Sequence, residues 1–82
     1  LGKDNIDYAS TCDNLANLYE EQGRYPEAEI LYKEALETKA KLLGKDNLKY
    51  ALSCNNIGGL YKEQGLYLKA EPYLLEAKRV HE

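Results

Sequence analysis

The residues of this 82-residue sequence that could do chemistry are two cysteines, one histidine and fourteen carboxylates. Cys12 and Cys54 could form a disulfide or ligate zinc, but His81 is the only histidine and has no second ligand at metal spacing. The carboxylates lie along predicted helix faces, and some pair locally, as Glu29 does with Lys33. No Ser-His-Asp set can be assembled. We therefore predict no enzymatic activity, no metal site and no cofactor.

The elements that position these residues follow from an internal repeat of 42 residues, the distance from Leu1 to Leu43. The stretch 43–47 repeats 1–5, and the match continues without a gap to Ala35 and Ala77. A period between about 20 and 50 residues is typical of stacked arrays whose units cannot bury their apolar faces alone. The sequence therefore predicts two units, residues 1–42 and 43–82, that together form one fragment of a longer array.

Each unit is predicted to contain two helices joined by a glycine turn. Gly23 tolerates the conformation that ends a helix, and Pro26 suits the first turn of the next helix, which Gly44 ends. The predicted packing face of the first helix repeats at steps of three and four residues: Tyr8, Cys12, Leu15, Ala16 and Tyr19. Small residues are predicted where the helices of a unit cross: Ala16, Ala28, Gly58 and Ala70.

The cysteines and most tyrosines belong to this packing pattern. Cys12 and Cys54 occupy equivalent positions, and packed helices lie about 8 to 10 Å apart, whereas a disulfide needs Cα atoms within about 7 Å. We expect two buried thiols in a reducing compartment, which favours a cytoplasmic protein. The tyrosines predicted to interlock in the core, not to form an aromatic cage, are Tyr8, Tyr19, Tyr25, Tyr32, Tyr50, Tyr61 and Tyr67.

The order of Leu15-Ala16, Tyr19, Gly23 and Ala28 resembles the tetratricopeptide signature. The 42-residue unit, with Asn-Leu-Ala-Asn-Leu-Tyr at 14–19 and Ala-Glu-Ile-Leu-Tyr at 28–32, is similar to the kinesin light chain subclass. The resemblance implies an all-α fold, an α-solenoid of two helix-turn-helix repeats with four antiparallel helices and right-handed superhelical stacking. It also implies a scaffold that binds other proteins.

Two positions differ within this pattern. The subclass usually has His-Pro where this chain has Asn5-Ile6, so we predict that asparagine or aspartate caps the first helix of each unit. Pro72 stands where the first unit has Ile30, inside the predicted second helix, which it should bend.

In arrays of this kind the first helices line the concave side, so the resemblance implies a peptide-binding groove there. An asparagine amide both donates and accepts, and can hold the backbone of an extended peptide. Ordinary exposed or locally bonded amides are the alternative, although asparagine is a poor helix former. Acidic neighbours favour a partner with basic or neutral side chains. The predicted binding residues are Asn14, Asn17, Asn55, Asn56, Asp13, Glu20, Glu21 and Lys62.

Charge and hydropathy narrow the range of partners. The net charge of -3 and the pI near 5.2 predict neither nucleic acid nor membrane as a partner, and no apolar run approaches the roughly 18 residues of a membrane helix. A second hypothesis is a structural unit that self-associates through its repeat ends, around Tyr32, Leu36, Leu74 and Leu75. A third is a regulator of a distant catalytic domain.

Overall fold

The computed structural model describes residues 5–81, and their side chains through residue 80. It contains α1 (Ile6–Glu21), α2 (Tyr25–Leu43), α3 (Leu48–Glu63) and α4 (Tyr67–His81), with no strand in the described part. α1 packs against α2 and α3 against α4, while α2 also packs against α3. This is the predicted all-α solenoid of two helical repeats. None of the helices in 5–81 is both long and apolar enough to cross a membrane.

Asparagine caps the first helix of each repeat, as predicted. The Asn5 side-chain oxygen accepts hydrogen bonds from the backbone N–H groups of Asp7, at 2.7 Å, and Tyr8, at 3.3 Å. Asn47 accepts one from the N–H of Lys49 at 2.7 Å. These bonds satisfy donors that the first turn of a helix otherwise leaves without partners.

The turns and the second helices also follow the sequence. Gly23 and Gly65 have φ values of 75° and 78°, a region that favours glycine, and each stands directly after the residue that caps α1 or α3. α2 ends at Leu43 before Gly44, and α4 continues through Pro72.

The main core lies where the two repeats meet and where the helices of each repeat cross. Its fully buried members come from all four helices: Ala16, Ala28, Tyr32, Ile57, Leu60, Tyr61 and Ala70. A Cβ at Gly58 would stand 2.5 Å from Cδ2 of Leu74 and 3.5 Å from the carbonyl oxygen of Ala70. The prediction of small residues at this crossing is therefore confirmed.

The thiols are buried in two smaller clusters, as predicted. Cys12 packs with Ala9 and Ala35, and Cys54 packs with Tyr50 and Ala77. Both are free cysteines. Burial raises the pKa of each thiol, so neither is a ready nucleophile.

The structure corrects three predictions about the apolar faces. Leu15 was predicted to pack but is 39% exposed, and Tyr67 was predicted to be core but is 65% exposed, because no neighbouring helix covers either. Tyr32 and Leu36 were predicted on exposed repeat ends, yet Tyr32 is 3% exposed and Leu36 is half-buried. Both lie inside the boundary between the repeats. The predictions for 1–4 and for the His81 side chain lie outside the described residues.

Candidate partner-binding face

The eight predicted binding residues lie on α1 and α3. Asp13, Asn17 and Glu20 follow one another at helical spacing on α1, and Asn55 and Lys62 occupy the equivalent stripe of α3. We call these two stripes, with the adjacent Asn14, Glu21 and Asn56, the first-helix face.

Most of the asparagine amides on this face make no hydrogen bond within residues 5–80. Asn14, Asn17 and Asn55 are exposed and Asn56 is half-buried. Among the side chains of residues 5–80, the Asn17 amide alone of these four makes a hydrogen bond, from its Nδ2 to Oε1 of Glu21 at 3.5 Å, which is the long limit of such a bond. Within residues 5–80 no side-chain hydrogen bond holds the other three amides. Their donors and acceptors are therefore available to a partner.

The Asp13 carboxylate already forms an ion pair within the chain. Its Oδ2 lies 2.6 Å from Nζ of Lys39 on α2, and the two side chains are only 14% and 7% exposed. Oδ1 of Asp13 is buried and has no partner within the described residues. An ion pair withdrawn from water needs good geometry to offset its desolvation, and this one joins the helices of the first repeat.

Sequence reasoning missed Lys39, although a signal was present. Lys39 follows Ala28, Tyr32 and Ala35 at helical spacing on the buried face of α2. A lysine in such a stripe needs a carboxylate, and Asp13 is the one that supplies it.

Glu20 is half-buried and lies near Glu63 of the second repeat. Its Oε1 accepts a hydrogen bond from the Tyr32 hydroxyl at 2.8 Å. Burial and the carboxylate of Glu63 on α3 raise the pKa of Glu20, and the Tyr32 hydroxyl only partly opposes this. The C-terminal ends of α1 and α3 thus bring two carboxylates together, while Glu21 and Lys62 remain exposed beside them.

A second carboxylate network lies in the α2–α3 junction. Oε2 of Glu29 accepts from the Tyr61 hydroxyl at 2.8 Å and lies 3.1 Å from Nζ of Lys33. Burial alone would raise the pKa of Glu29, but the Tyr61 hydroxyl and the Lys33 ammonium lower it. The pairing of Glu29 with Lys33 was predicted from the sequence, whereas the contact with Tyr61 was not.

The centre of the α3 stripe is open. Gly59 lies between Asn55 and Lys62, and a Cβ built on it would meet nothing within 4 Å. A partner backbone can therefore approach α3 closely at this point.

The polar side chains of the first-helix face are hydrogen-bonding and charged groups. No group of three or more His, Cys, Asp or Glu among them could hold a metal ion. The arrangement is suited to hydrogen bonding and charge complementarity with another chain.

The family model for the tetratricopeptide repeat matches residues 1–82. A comparison with curated proteins finds no match.

Proposed function

The chain belongs to the tetratricopeptide repeat family, and we propose that it binds an extended peptide segment of a partner protein across α1 and α3. Repeats of this family generally mediate protein–protein interaction, and the family is one of non-catalytic scaffolds. The observation that carries the proposal is the state of Asn14, Asn55 and Asn56, whose amides have no hydrogen bond within the described residues. Asn14 and Asn56 occupy equivalent positions of successive repeats, so one peptide backbone could meet both.

The charges of the first-helix face favour a partner with basic or neutral side chains. Lys39 already neutralises Asp13, so the carboxylates left for a partner are those near the helix ends, Glu20, Glu21 and Glu63. Burial and, after it, the Glu63 carboxylate raise the pKa of Glu20, and a basic side chain placed between the two carboxylates would relieve their repulsion.

The finer classification belongs to the same proposal. The 42-residue unit supports a kinesin light chain-like subclass. Two buried free thiols fit a cytoplasmic location.

The test selects binders from a library of short random peptides and measures their affinity by fluorescence anisotropy. We expect Asn14→Ala and Asn56→Ala each to weaken binding about 5-fold, the effect of one net hydrogen bond. Gly59→Gln should weaken it further because its side chain fills the open centre of the α3 stripe. Glu37→Ala, at an exposed residue of α2, is the matched control and should leave affinity unchanged.

Circular dichroism shows whether a variant that binds weakly is still folded. We expect all four variants to fold, because the four positions are exposed or half-buried. Peptides that bind the asparagine variants and the Glu37→Ala control equally well would show that the first-helix face is ordinary surface.

The second candidate function is a structural unit that self-associates and has no dedicated peptide ligand. One observation favours it: Leu15 and Leu18 are 39% and 48% exposed, whereas their counterparts Ile57 and Leu60 are fully buried. α2 covers this surface of α3, whereas the equivalent apolar surface of α1 is exposed.

A further inference from the structure

We infer that the first-helix face, together with Leu48 and Leu52, selects an extended peptide in which an apolar side chain lies about five residues from a basic one. The apolar side chain packs on Leu48 and Leu52 near the start of α3, and the basic side chain lies between Glu20 and Glu63, where α1 and α3 end. This inference rests on the proposed function and adds to it the chemical class of the peptide.

Leu48 and Leu52 form an exposed apolar pair on α3. They are 59% and 52% exposed, and they continue the stripe of Asn55 and Gly59 toward the N-terminus at steps of four and three residues. α2 and α4, which pack against α3, cover its opposite side: Ile57 is fully buried and lies about 180° around the helix from Leu48. The pair therefore offers apolar surface beside the asparagine amides, and a peptide side chain that covers this surface is removed from water.

The distance along α3 sets the length of the peptide motif. A helix rises about 1.5 Å per residue, so Leu52 and Glu63 are separated by about 16 Å along its axis. An extended peptide covers about 3.3 Å per residue, so about five of its residues span this distance. Its backbone would pass the exposed Asn55 amide and Gly59, where an added Cβ would meet nothing within 4 Å.

The carboxylates at the ends of α1 and α3 supply the charge that a basic side chain complements. Glu20 lies near Glu63, and the last turn of α1 contains no basic residue. Lys62 lies in the last turn of α3, but it is about 100° around the helix from Glu63 and forms no ion pair within residues 5–80. Arg24 already forms an ion pair with Glu27 at 3.0 Å. The partial negative charge at the C-terminal end of each helix adds to the attraction for a cation.

Peptide titrations followed by NMR of the isotope-labelled chain test the spacing. The first peptides carry one leucine and one lysine at the inferred spacing, in either order, on a background of serine and glycine. Their matched controls have the same composition, with leucine and lysine adjacent. We expect one order at the inferred spacing to bind about 10-fold more tightly than its control, because only this peptide can contact Leu52 and Glu63 at once. The same peptide with glutamate in place of lysine should bind as weakly as the control.

Two substitutions assign the ends of the spaced peptide. Leu52→Gln should weaken its binding about 5-fold at every salt concentration. Glu63→Gln should weaken it by a similar factor, and this loss should shrink as the salt concentration rises, because screening weakens exposed charge pairs. Ile30→Gln and Glu37→Gln, at exposed positions of α2, are the matched controls and should leave affinity unchanged. The NMR spectrum shows whether each variant is folded.

Equal affinity for the spaced and adjacent peptides would overturn the inference, as would a glutamate-containing peptide that binds as tightly as the lysine-containing one. Asn14→Ala and Asn56→Ala, measured with the same peptides, distinguish this failure from failure of the proposed function. Weaker binding in these two variants would keep the backbone contact with the first-helix face and reject only the peptide motif. Unchanged binding would reject both.

Discussion

α1 and α3 have closely related sequences but very different surroundings. Ile57 and Leu60 on α3 have no exposed surface, whereas Leu15 and Leu18 on α1 are 39% and 48% exposed. α3 packs against both α2 and α4, while α1 packs chiefly against α2. The difference shows that the burial of a helix face in this fold depends on whether a neighbouring helix covers it. Repeat proteins behave in this way because each unit contacts only its neighbours.

The two helices also differ in the side chains that they contribute to the first-helix face. On α1, the Asp13 carboxylate forms an ion pair with Lys39, and the Glu20 carboxylate accepts a hydrogen bond from the Tyr32 hydroxyl. On α3, the equivalent Asn55 and Lys62 are exposed. At these two positions the second repeat is therefore the more exposed.

The largest expected effect tests burial at equivalent positions. Ile57→Ala should lower the free energy of unfolding by about 2 to 5 kcal/mol, because it removes buried methyl groups and leaves a cavity. Leu15→Ala should cost less than about 1 kcal/mol, since the side chain is partly in water already. Urea unfolding followed by circular dichroism measures both. Equal losses at the two positions would mean that α1 is covered in solution.

The second effect concerns the Asp13–Lys39 ion pair of the first repeat. Lys39→Ala should lower the free energy of unfolding by about 3 kcal/mol, because it leaves the Asp13 carboxylate buried without its cation. Asp13→Asn, which introduces the residue found at position 55, should also lower the free energy of unfolding, because the amide oxygen still accepts from Lys39 but leaves the buried ammonium without a counter-charge.

A double-mutant cycle isolates the pair. The combined variant should be more stable than the sum of the single losses implies, with a coupling of about 1 to 2 kcal/mol. Lys49→Ala, at an exposed lysine of α3, is the control and should change stability by less than about 0.5 kcal/mol. Additive losses would place the Asp13–Lys39 contact among weak surface pairs.

The sequence was sufficient for the helices, turns and caps because these depend on local residues and on the 42-residue period. Asn5, Asn47 and Gly23 act within a few residues of their own positions. Periodicity also indicates which face of α1 is apolar, but it does not say whether another helix covers that face. Leu15 was misplaced for this reason.

The side-chain network of the candidate site was harder to predict. Asp13 with Lys39, and Tyr61 with Glu29, join residues on different helices, and their contact depends on how the helices pack. Lys39, which lies within the apolar stripe of α2, was the feature of the local sequence that indicated a buried ion pair. The binding roles of Asn14, Asn17, Asn55 and Asn56 stay predictions.

The smallest effect concerns Glu20, whose equivalent in the second repeat is Lys62. Burial and the Glu63 carboxylate raise the pKa of Glu20 in the folded state. A group with a raised folded pKa stabilises the fold below its unfolded pKa, near 4.5, and this contribution is lost as pH rises through the folded pKa. At pH 7 the ionised Glu20 therefore weakens the fold.

Glu20→Gln should raise the free energy of unfolding at pH 7 by less than about 1 kcal/mol, because the side chain is partly solvated. The glutamine oxygen still accepts from Tyr32, and its amide can donate to Glu63. The gain should vanish below about pH 4, where Glu20 is protonated. Glu29→Gln is the opposite control: its pKa is lowered by Tyr61 and Lys33, so this change should weaken the fold at pH 7. A gain from Glu20→Gln that persisted at acid pH would assign the effect to packing, and the Glu20 and Glu29 carboxylates would then not differ electrostatically.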